Sequence, residues 1–395
     1  MNGDPAAPDI ERAAWPREIG RYTSGQPGPA IVVIGGLHGN EPAGVHAARR
    51  VIEALHENQP TLRGTFVALC GNRAGLARGR RFVDLDLNRC WEDDAVAALR
   101  DRDPSGDSAE HAEQRELLAC IEELAATTND PLVLLDLHTT SGNGPPFLLM
   151  ADALSNRSIA MSLPGTIVLG LEEEIDGALV CYFGGLGHRA IVFEGGQHDD
   201  KKTVEHSESA IWLTLVAVGA LSESDIPEFE LKRRALGSAA ADLPRVVELR
   251  YRHRIRAGDR FKMQPGFEGL ARVRRGDVLA SDIRGDVTAP ESGRLLMPLY
   301  QDQGSDGFFL CRRVSAARLD LSTVCRRAQL HRLLPLLPGV SRGSDPNTMR
   351  TTQRGAARFR ELLRFFGYRR ERARENGFSF SRRRSDSQNA HARRG

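Results

Sequence analysis

The sequence lacks any apolar stretch long enough to cross a membrane as a helix. Its most apolar runs, such as residues 30–35, have the length of a strand, whereas a membrane-spanning helix needs about 20 apolar residues. Its first residues carry neither the basic cluster nor the apolar stretch of a secretory signal. We therefore expect a cytoplasmic protein with no membrane partner.

Cysteine is scarce, and its residues never occur as Cys-x-x-Cys pairs. This absence argues against a thiolate zinc knuckle and against a disulfide framework. Free, mostly buried thiols are expected instead. The six cysteines are Cys70, Cys90, Cys120, Cys181, Cys311 and Cys325.

Size and charge indicate a globular chain with a distinct C-terminal region. At 395 residues, with 41% apolar and 27% charged residues, it exceeds one ordinary domain. Residues 341–395 hold 15 arginines against 5 acidic residues, which gives +10; the overall charge of +2 leaves −8 for the rest.

Strand and helix patterns alternate through the first half of the chain. This alternation predicts an α/β fold with a mostly parallel sheet covered by helices on both faces. Strands are predicted at 30–34, 64–70, 131–137, 166–169 and 190–193, and helices at 41–57, 109–126 and 207–221.

The pattern changes near residue 240, which predicts three parts: 1–240, 241–315 and 316–395. The second part has short, glycine-punctuated strands and predicts a smaller all-β domain of barrel or hammerhead type. Its segments resemble lipoyl and biotinyl carriers, but its only lysine, Lys262, lies outside the matching segments, which disfavours a carrier role. The third part predicts a basic tail with two helical stretches, disordered from residue 377.

Three residues could bind a metal ion. His38 and Glu41 follow a buried strand, at the carboxyl end where open α/β sheets place ligands, and His138 ends another strand. Two histidines and a carboxylate leave a fourth position for water and suit zinc, although manganese, cobalt or iron would also fit. Alternatively, Glu41 only stabilises the first turn of the following helix.

A hydrolytic site also needs a proton acceptor and groups that bind anionic oxygen. Glu194, at the end of an apolar strand, is the candidate acid and base. Arg81, Asn88 and Arg89 could bind a carboxylate or the developing charge of an acyl transition state. Glu194 could instead be a surface residue, and Arg81 could form an ordinary salt bridge with the nearby aspartates.

Four motifs together resemble the succinylglutamate desuccinylase/aspartoacylase family, relatives of the zinc carboxypeptidases. The resemblance runs from about Ile31 to Leu221 and implies a fold of zinc-peptidase type, with a mixed sheet between helices and a smaller β domain that shapes or covers the cleft. The motifs are Gly35-Gly36-Leu37-His38-Gly39-Asn40-Glu41, Asp84-Leu85-Asp86-Leu87-Asn88-Arg89, Leu135-Asp136-Leu137-His138 and Phe193-Glu194-Gly195-Gly196.

The resemblance implies one zinc ion per subunit and hydrolysis of an N-acylated amino acid. Zinc would lower the pKa of its bound water to roughly 7, and the later glutamate would accept the proton. Homodimer assembly, common among relatives, is implied on the same basis. By motif position, the zinc ligands are His38, Glu41 and His138, the general base and acid is Glu194, the residue that polarises the carbonyl is Arg81, and the carboxylate is held by Asn88 and Arg89.

The substrate pocket departs from the better-known family members. An arginine that helps to bind aspartate in aspartoacylase has no counterpart at the same spacing, since the nearest, Arg189, is displaced. Tyr182, His188, Arg189 and His198 are candidate pocket residues, with packing or surface roles as the alternative. The acyl group and the amino acid are therefore left open.

Two other functions compete with the deacylase hypothesis. The shared metal core would also serve a carboxypeptidase acting on a short peptide, which would need an open groove. A non-catalytic protein could instead act through the arginine-rich tail, but such a tail is more often solvated, so contact with nucleic acid is not expected. A complete set of ligands and base favours an enzyme.

Overall fold

The computed structural model describes residues 15–383 of the chain. In chain order the strands are β1 (Glu18–Thr23), β2 (Gln26–Gly35), β3 (Arg63–Cys70), β4 (Val133–Thr140), β5 (Phe147–Met150), β6 (Thr166–Leu169), β7 (Arg189–Gln197), β8 (Val246–Arg254), β9 (Lys262–Met263), β10 (Arg272–Val273), β11 (Val278–Asp282), β12 (Gly285–Thr288), β13 (Gly293–Leu296), β14 (Asp306–Val314), β15 (Val340–Arg342), β16 (Thr348–Thr351), β17 (Arg370–Arg374) and β18 (Gly377–Ser381). The helices are α1 (Ala43–Asn58), α2 (Arg73–Arg78), α3 (Asp93–Asp101), α4 (Ala109–Ala126), α5 (Leu154–Ala160), α6 (Leu171–Glu174), α7 (Leu179–Gly185), α8 (Lys201–Ala217), α9 (Phe229–Ala239), α10 (Ala316–Arg327) and α11 (Gln353–Phe365), with 3-10 turns at Leu87–Arg89, Pro104–Gly106, Glu223–Asp225 and Leu330–Leu336.

An eleven-stranded mixed sheet forms the centre of the molecule, in the order β1-β3-β2-β4-β7-β5-β6-β8-β14-β13-β10. The strands β3, β2, β4 and β7 run parallel to one another, so their carboxyl ends meet at one edge. Helices α1, α5, α8 and α9 contribute to the apolar core on one face, and α4 and α7 to the core on the other. The predicted α/β class is confirmed, with a mixed sheet.

Strand β4 shows how the sequence places polar groups in this core. Side chains alternate between the two faces of a strand, and Val133, Leu135 and Leu137 pack into the first core. The opposite face starts with apolar residues and ends with Asp136 and His138, both buried. On β4, the buried polar side chains therefore occur only from Asp136 onward, towards the carboxyl end of the strand.

Residues 241–315 do not separate from the central sheet as expected. Strand β6 pairs with β8, and β14, β13 and β10 continue the same sheet outward. Within this region, β12, β11 and β9 form a separate three-stranded sheet, which shares an apolar cluster with β10, β13 and β14 of the central sheet. The long strands β8 and β14 thus fix this region to the sheet that carries the candidate site.

Residues 316–383, here named the C-terminal module, contain more regular structure than predicted. Helices α10 and α11 pack with a four-stranded antiparallel sheet in the order β15-β16-β18-β17. The prediction of disorder from residue 377 was wrong for β18, which pairs with strands on both sides. Residues 384–395 lie outside the described range. No helix among the described residues is long and apolar enough to cross a membrane.

A buried ionic cluster joins the C-terminal module to the central sheet. Arg369, itself 7% exposed, donates to Glu173 and to Glu248 at 2.7 Å each, and lies 3.6 Å from Asp152. All three carboxylates are largely buried. Because a buried carboxylate needs a compensating charge, the arginine holds together groups from three segments of the chain.

We expect the substitution Arg369→Met to destabilise the protein by about 3–5 kcal/mol, because it leaves buried carboxylates without their partner. Urea unfolding of the full chain would measure the loss. Arg372→Met removes the same charge from an exposed position and should change the stability by less than about 0.5 kcal/mol. Equal effects of the two substitutions would contradict a specific role for the buried cluster.

Candidate functional site

The predicted ligands and base meet at the carboxyl edge of the parallel strands. His38 and Glu41 lie in the loop between β2 and α1, His138 lies near the end of β4, and Glu194 stands opposite His138 in the register of β7. All four are buried, with at most 4% of each residue exposed. The structure therefore brings together the four residues on which the sequence analysis depends.

Glycines allow the loop after β2 to reach this position. Gly36 has a φ of +70°, a backbone conformation that other residues seldom adopt. Gly39 packs against the backbone of Gly75, and a Cβ at Gly44 would lie 2.7 Å from Leu137. The loop can therefore lie directly on β4, which brings its histidine and glutamate towards His138.

The carboxylate of Glu41 lies between two imidazole rings. Its Oε1 is 2.9 Å from Nδ1 of His38, and its Oε2 is 3.1 Å from Nδ1 of His138. The backbone N–H of Thr139 also donates to Oε2 at 2.8 Å. The cap residue of α1 is Pro42, so the alternative that Glu41 serves only the first turn of that helix does not account for its contacts.

Each imidazole contacts an aspartate through its other nitrogen. Nε2 of His138 lies 3.0 Å from Asp136, and Nε2 of His38 lies 3.3 Å from Asp86. An ionised carboxylate only accepts, so Nε2 donates to the aspartate, and an Nδ1 without a hydrogen would face a second acceptor in Glu41. Two acceptors at this distance need a cation or a proton between them.

These contacts fit a divalent metal ion. One ligand atom from each of His38, Glu41 and His138 lies within 4.8 Å of the other two, and a carboxylate behind each histidine is the usual arrangement at metal sites. Asp86 and Asp136 belong to the sequence motifs, but their role behind the two histidines was not predicted. The Asp-x-His spacing was the available signal, because residues two apart share one face of a strand.

The pKa shifts also indicate that the cluster attracts positive charge. Burial alone would raise the pKa of Glu41, but the two histidines outweigh it and hold the pKa well below its usual value. Burial alone would lower the pKa of His138, but Asp136 and Glu41 raise it well above its usual value. The cluster therefore carries more negative than positive charge.

Glu194 has the opposite electrostatic character. Burial, its largest influence, raises its pKa to about 8. Its Oε2 is buried and has no hydrogen-bond partner among the described residues. A carboxyl group with these properties, beside a candidate metal site, suits the exchange of protons with a bound molecule.

Arg81, Asn88 and Arg89 lie beside the cluster on one loop. Arg81 makes two hydrogen bonds of 3.1 Å to Asp86, the salt bridge that the sequence analysis left open, and still reaches within 3.7 Å of Glu41. Asn88 accepts from the backbone of Leu179, which fixes its side chain. Arg89 lies 3.9 Å from Asp306 and also lines the cavity.

A cavity of about 1030 Å³, counted to its open mouth, contains all seven predicted site residues. Its lining combines the histidine cluster and the arginines with a set of apolar side chains. The loop between β13 and β14 covers part of it, and Gln301 in that loop accepts from Asn40 at 2.9 Å. The apolar wall is formed mainly by Leu149, Met150, Leu171, Ile175, Val180, Val192, Met297, Leu299 and Phe309.

Only one of the four additional pocket candidates lines this cavity. His198 does so, and it contacts Thr139 at 2.6 Å and Gln301 at 3.2 Å. His188 instead accepts from the backbone of Leu132, and Arg189 begins β7, so both lie at the opposite edge of the sheet. Tyr182 packs in the apolar core. For those three residues the pocket hypothesis was wrong.

Comparison with known proteins agrees with the site geometry. Residues 27–157 match the family model described as the succinylglutamate desuccinylase/aspartoacylase catalytic domain. Over this range the chain is similar to the catalytic domain of that family. The matched range contains six of the seven predicted site residues, whereas Glu194 lies beyond it.

Individual members of this family match only parts of the chain. A human N-acyl-aromatic-L-amino acid amidohydrolase (carboxylate-forming) is 36% identical over 115 residues, 29% of this chain and 34% of that protein. A probable aspartoacylase of Acaryochloris marina is 30% identical over 135 residues, 34% and 42% of the two chains. The chain thus spans less than half the length of these curated relatives.

The family resemblance in fold reaches further along the chain. The crystal structure of a succinylglutamate desuccinylase/aspartoacylase from Rhodobacter sphaeroides matches with a TM-score of 0.56 at 16% identity. The match covers 73% of this chain and 87% of the other. At this identity the comparison shows a common fold.

The C-terminal module also contacts the wall of the cavity. Arg383 donates to the backbone oxygen of Cys181 at 3.1 Å and lies 3.5 Å from the carboxylate of Glu172, a residue that lines the cavity. Burial raises the pKa of Glu172 to about 7. Two arginines of the module, Arg369 and Arg383, therefore hold the segment around α6 in place.

We expect Asp136→Asn to weaken divalent metal binding about 10- to 100-fold, because the carboxylate behind His138 orients the ring and increases its basicity. Competition with a chromophoric chelator would measure the affinity. Asp130→Asn, an exposed change at the other end of β4, should leave the affinity unchanged. An unaltered affinity in Asp136→Asn would argue against a metal at this cluster.

Proposed function

We propose that the chain hydrolyses the amide bond of an N-acylated amino acid, with zinc held by His38, Glu41 and His138. The observation that carries this proposal is the position of the unpartnered, protonatable Glu194 beside a cluster that needs a cation. The names of the curated relatives, which are amidohydrolases, desuccinylases and aspartoacylases, support the same reaction class. Histidine and carboxylate ligands without sulfur favour zinc.

Glu194 moves the protons of the reaction. A divalent metal in the cluster would supply Lewis acidity, polarising the amide carbonyl and making a nearby water more acidic. The carboxylate of Glu194 accepts a proton from the attacking water, and its protonated form then donates to the leaving nitrogen as the C–N bond breaks. The products are a carboxylic acid and an amino compound.

The arginine loop supplies positive charge for the substrate. Arg81, anchored by Asp86, lies close enough to the cluster to stabilise negative charge that develops on the carbonyl oxygen. Asn88 and Arg89 are placed to bind a carboxylate of the amino acid. Asp306 lies 3.9 Å from Arg89, so the guanidinium can still donate shorter hydrogen bonds to a substrate carboxylate.

The shape of the cavity favours a small substrate with an apolar group. Its polar lining can hold the amide and one carboxylate, while its apolar lining, with residues such as Leu149, Val192 and Phe309, suits an aliphatic or aromatic substituent. The loop that carries Gln301 covers part of the cavity, which favours a deacylase over a carboxypeptidase that needs an open groove. The cytoplasmic location and a homodimer stay predictions.

We expect Glu194→Gln to lower kcat about 100- to 10,000-fold, because an amide cannot accept and return the proton. Metal content and the unfolding temperature should stay near those of the wild type. Glu208→Gln, a carboxylate on α8 whose partners are Lys232 and Arg50, is the control and should keep full activity. Retained turnover in Glu194→Gln would remove this residue from the mechanism.

We expect hydrolysis of N-acetyl-phenylalanine or N-acetyl-leucine to exceed that of N-acetylaspartate roughly tenfold or more in kcat/KM, since an acidic side chain against the apolar lining would lose its hydration. Amine release from equal concentrations of each compound would measure the preference. Faster turnover of N-acetylaspartate or N-succinylglutamate would overturn the apolar assignment and leave the amidohydrolase proposal intact.

A further inference from the structure

The sheet of the C-terminal module has one covered face and one open face. Val340, Met349 and Phe380 pack against α11 on the covered face, and Glu371 reaches Arg360 of that helix at 2.8 Å. Because side chains alternate along a strand, the residues between these positions point away from α11. Strand β17 therefore places Arg370, Arg372 and Arg374 on the open face.

The open face has the shape of a shallow trough, here named the arginine trough. Its floor is β18, whose residues on this face are only glycine and serine; Gly377 and Ser379 are buried and Ser381 is half-buried. The strand register places Ser379 between Arg350 of β16 and Arg372 of β17. Small residues thus lie along the middle, with guanidinium groups on both sides. The trough consists of Arg350, Arg370, Arg372, Arg374, Gly377, Ser379 and Ser381.

The charges of the trough are mostly uncompensated. Arg350, Arg372 and Arg374 are exposed, and among residues 15–383 none of them has an ion-pair partner. Arg370 has one distant partner, Asp176 at 3.9 Å, which is itself 65% exposed. The module as a whole contains 16 arginines, no lysine and five acidic residues. Arginine, unlike lysine, binds phosphate oxygens with two parallel hydrogen bonds.

The spacing of the arginines fits a linear chain of phosphates. Alternate residues of a strand are about 6.6–6.8 Å apart, an interval comparable with that of successive phosphates in an extended polynucleotide. The two walls are two inter-strand spacings apart, roughly 9.5 Å, which is too narrow for a duplex but sufficient for one strand. The outward positions include no aromatic side chain, so bases would not stack on this face.

We propose that the arginine trough binds the sugar-phosphate backbone of single-stranded nucleic acid without sequence preference. The site lies apart from the histidine cluster, and the proposal does not depend on amide hydrolysis. It also revises the expectation, drawn from composition alone, that this region has no nucleic-acid partner. Up to residue 383 the tail that composition describes as solvated is folded, and its folding arranges four arginines around β18.

Protection of a sheet edge does not explain the whole arrangement. Charged residues on an edge strand prevent pairing with another chain, and this would account for the arginines of β17. Arg350, however, belongs to β16, which has partners on both sides. The glycine and serine floor also has no role in edge protection.

Fluorescence anisotropy of a labelled oligo(dT), titrated with the full chain at several salt concentrations, tests the proposal. Four phosphate contacts predict a slope of log K against log[salt] of about −3, with a Kd of about 10⁻⁴–10⁻⁶ M at physiological salt. The double variant Arg372→Met/Arg374→Met should bind more weakly, with a slope of about −1.5.

Arg354→Met/Arg342→Met is the matched control, because it removes two exposed arginines that do not lie on the open face and should leave the slope near −3. Equal losses of affinity in both double variants would show that binding depends on net charge alone, and would contradict a specific site in the trough. Absence of binding, a duplex that binds as tightly as the single strand, or inorganic polyphosphate that binds while the oligonucleotide does not, would each overturn the proposal as well. Unchanged thermal unfolding of the variants would confirm that they fold.

Discussion

The carboxylate of Glu41, placed between two imidazole nitrogens, is the contact on which the candidate site depends. Each imidazole contacts an aspartate through Nε2, so both rings direct Nδ1 towards the same carboxylate. Such a set of buried acceptors is unfavourable by itself and becomes favourable around a cation. The orientation of the loop after β2, the end of β4 and the arginine loop all follow from this requirement.

Buried carboxylates need a compensating charge elsewhere in the molecule too, and the resulting ion pairs connect distant parts of the chain. Carboxylates of three segments surround Arg369, and Arg383 reaches the wall of the cavity through Glu172. The module that supplies these arginines is therefore part of the structure around the pocket. Three other arginines of the module, Arg350, Arg372 and Arg374, are exposed and can contact an external anion.

Sequence patterns predicted the elements whose environment is uniform. Strand β6 is buried along its whole length and was predicted with its observed bounds, and α4, with one apolar face, was predicted as well. Strand β5 was missed because four apolar residues without a clear period do not distinguish a strand from a loop. The four strands of the C-terminal module were missed because arginine-rich, alternating sequence also occurs in disordered tails.

The sequence by itself predicted the family resemblance and the seven candidate site residues, because a metal site needs particular side chains at fixed distances from strand ends. It also indicated the α/β class, since apolar periodicity is a local property of the chain. Only the tertiary structure decided which aspartates support the histidines, which pocket candidates reach the cavity and which way the arginines of β17 point. These depend on contacts between residues tens to hundreds of positions apart, which local patterns do not record.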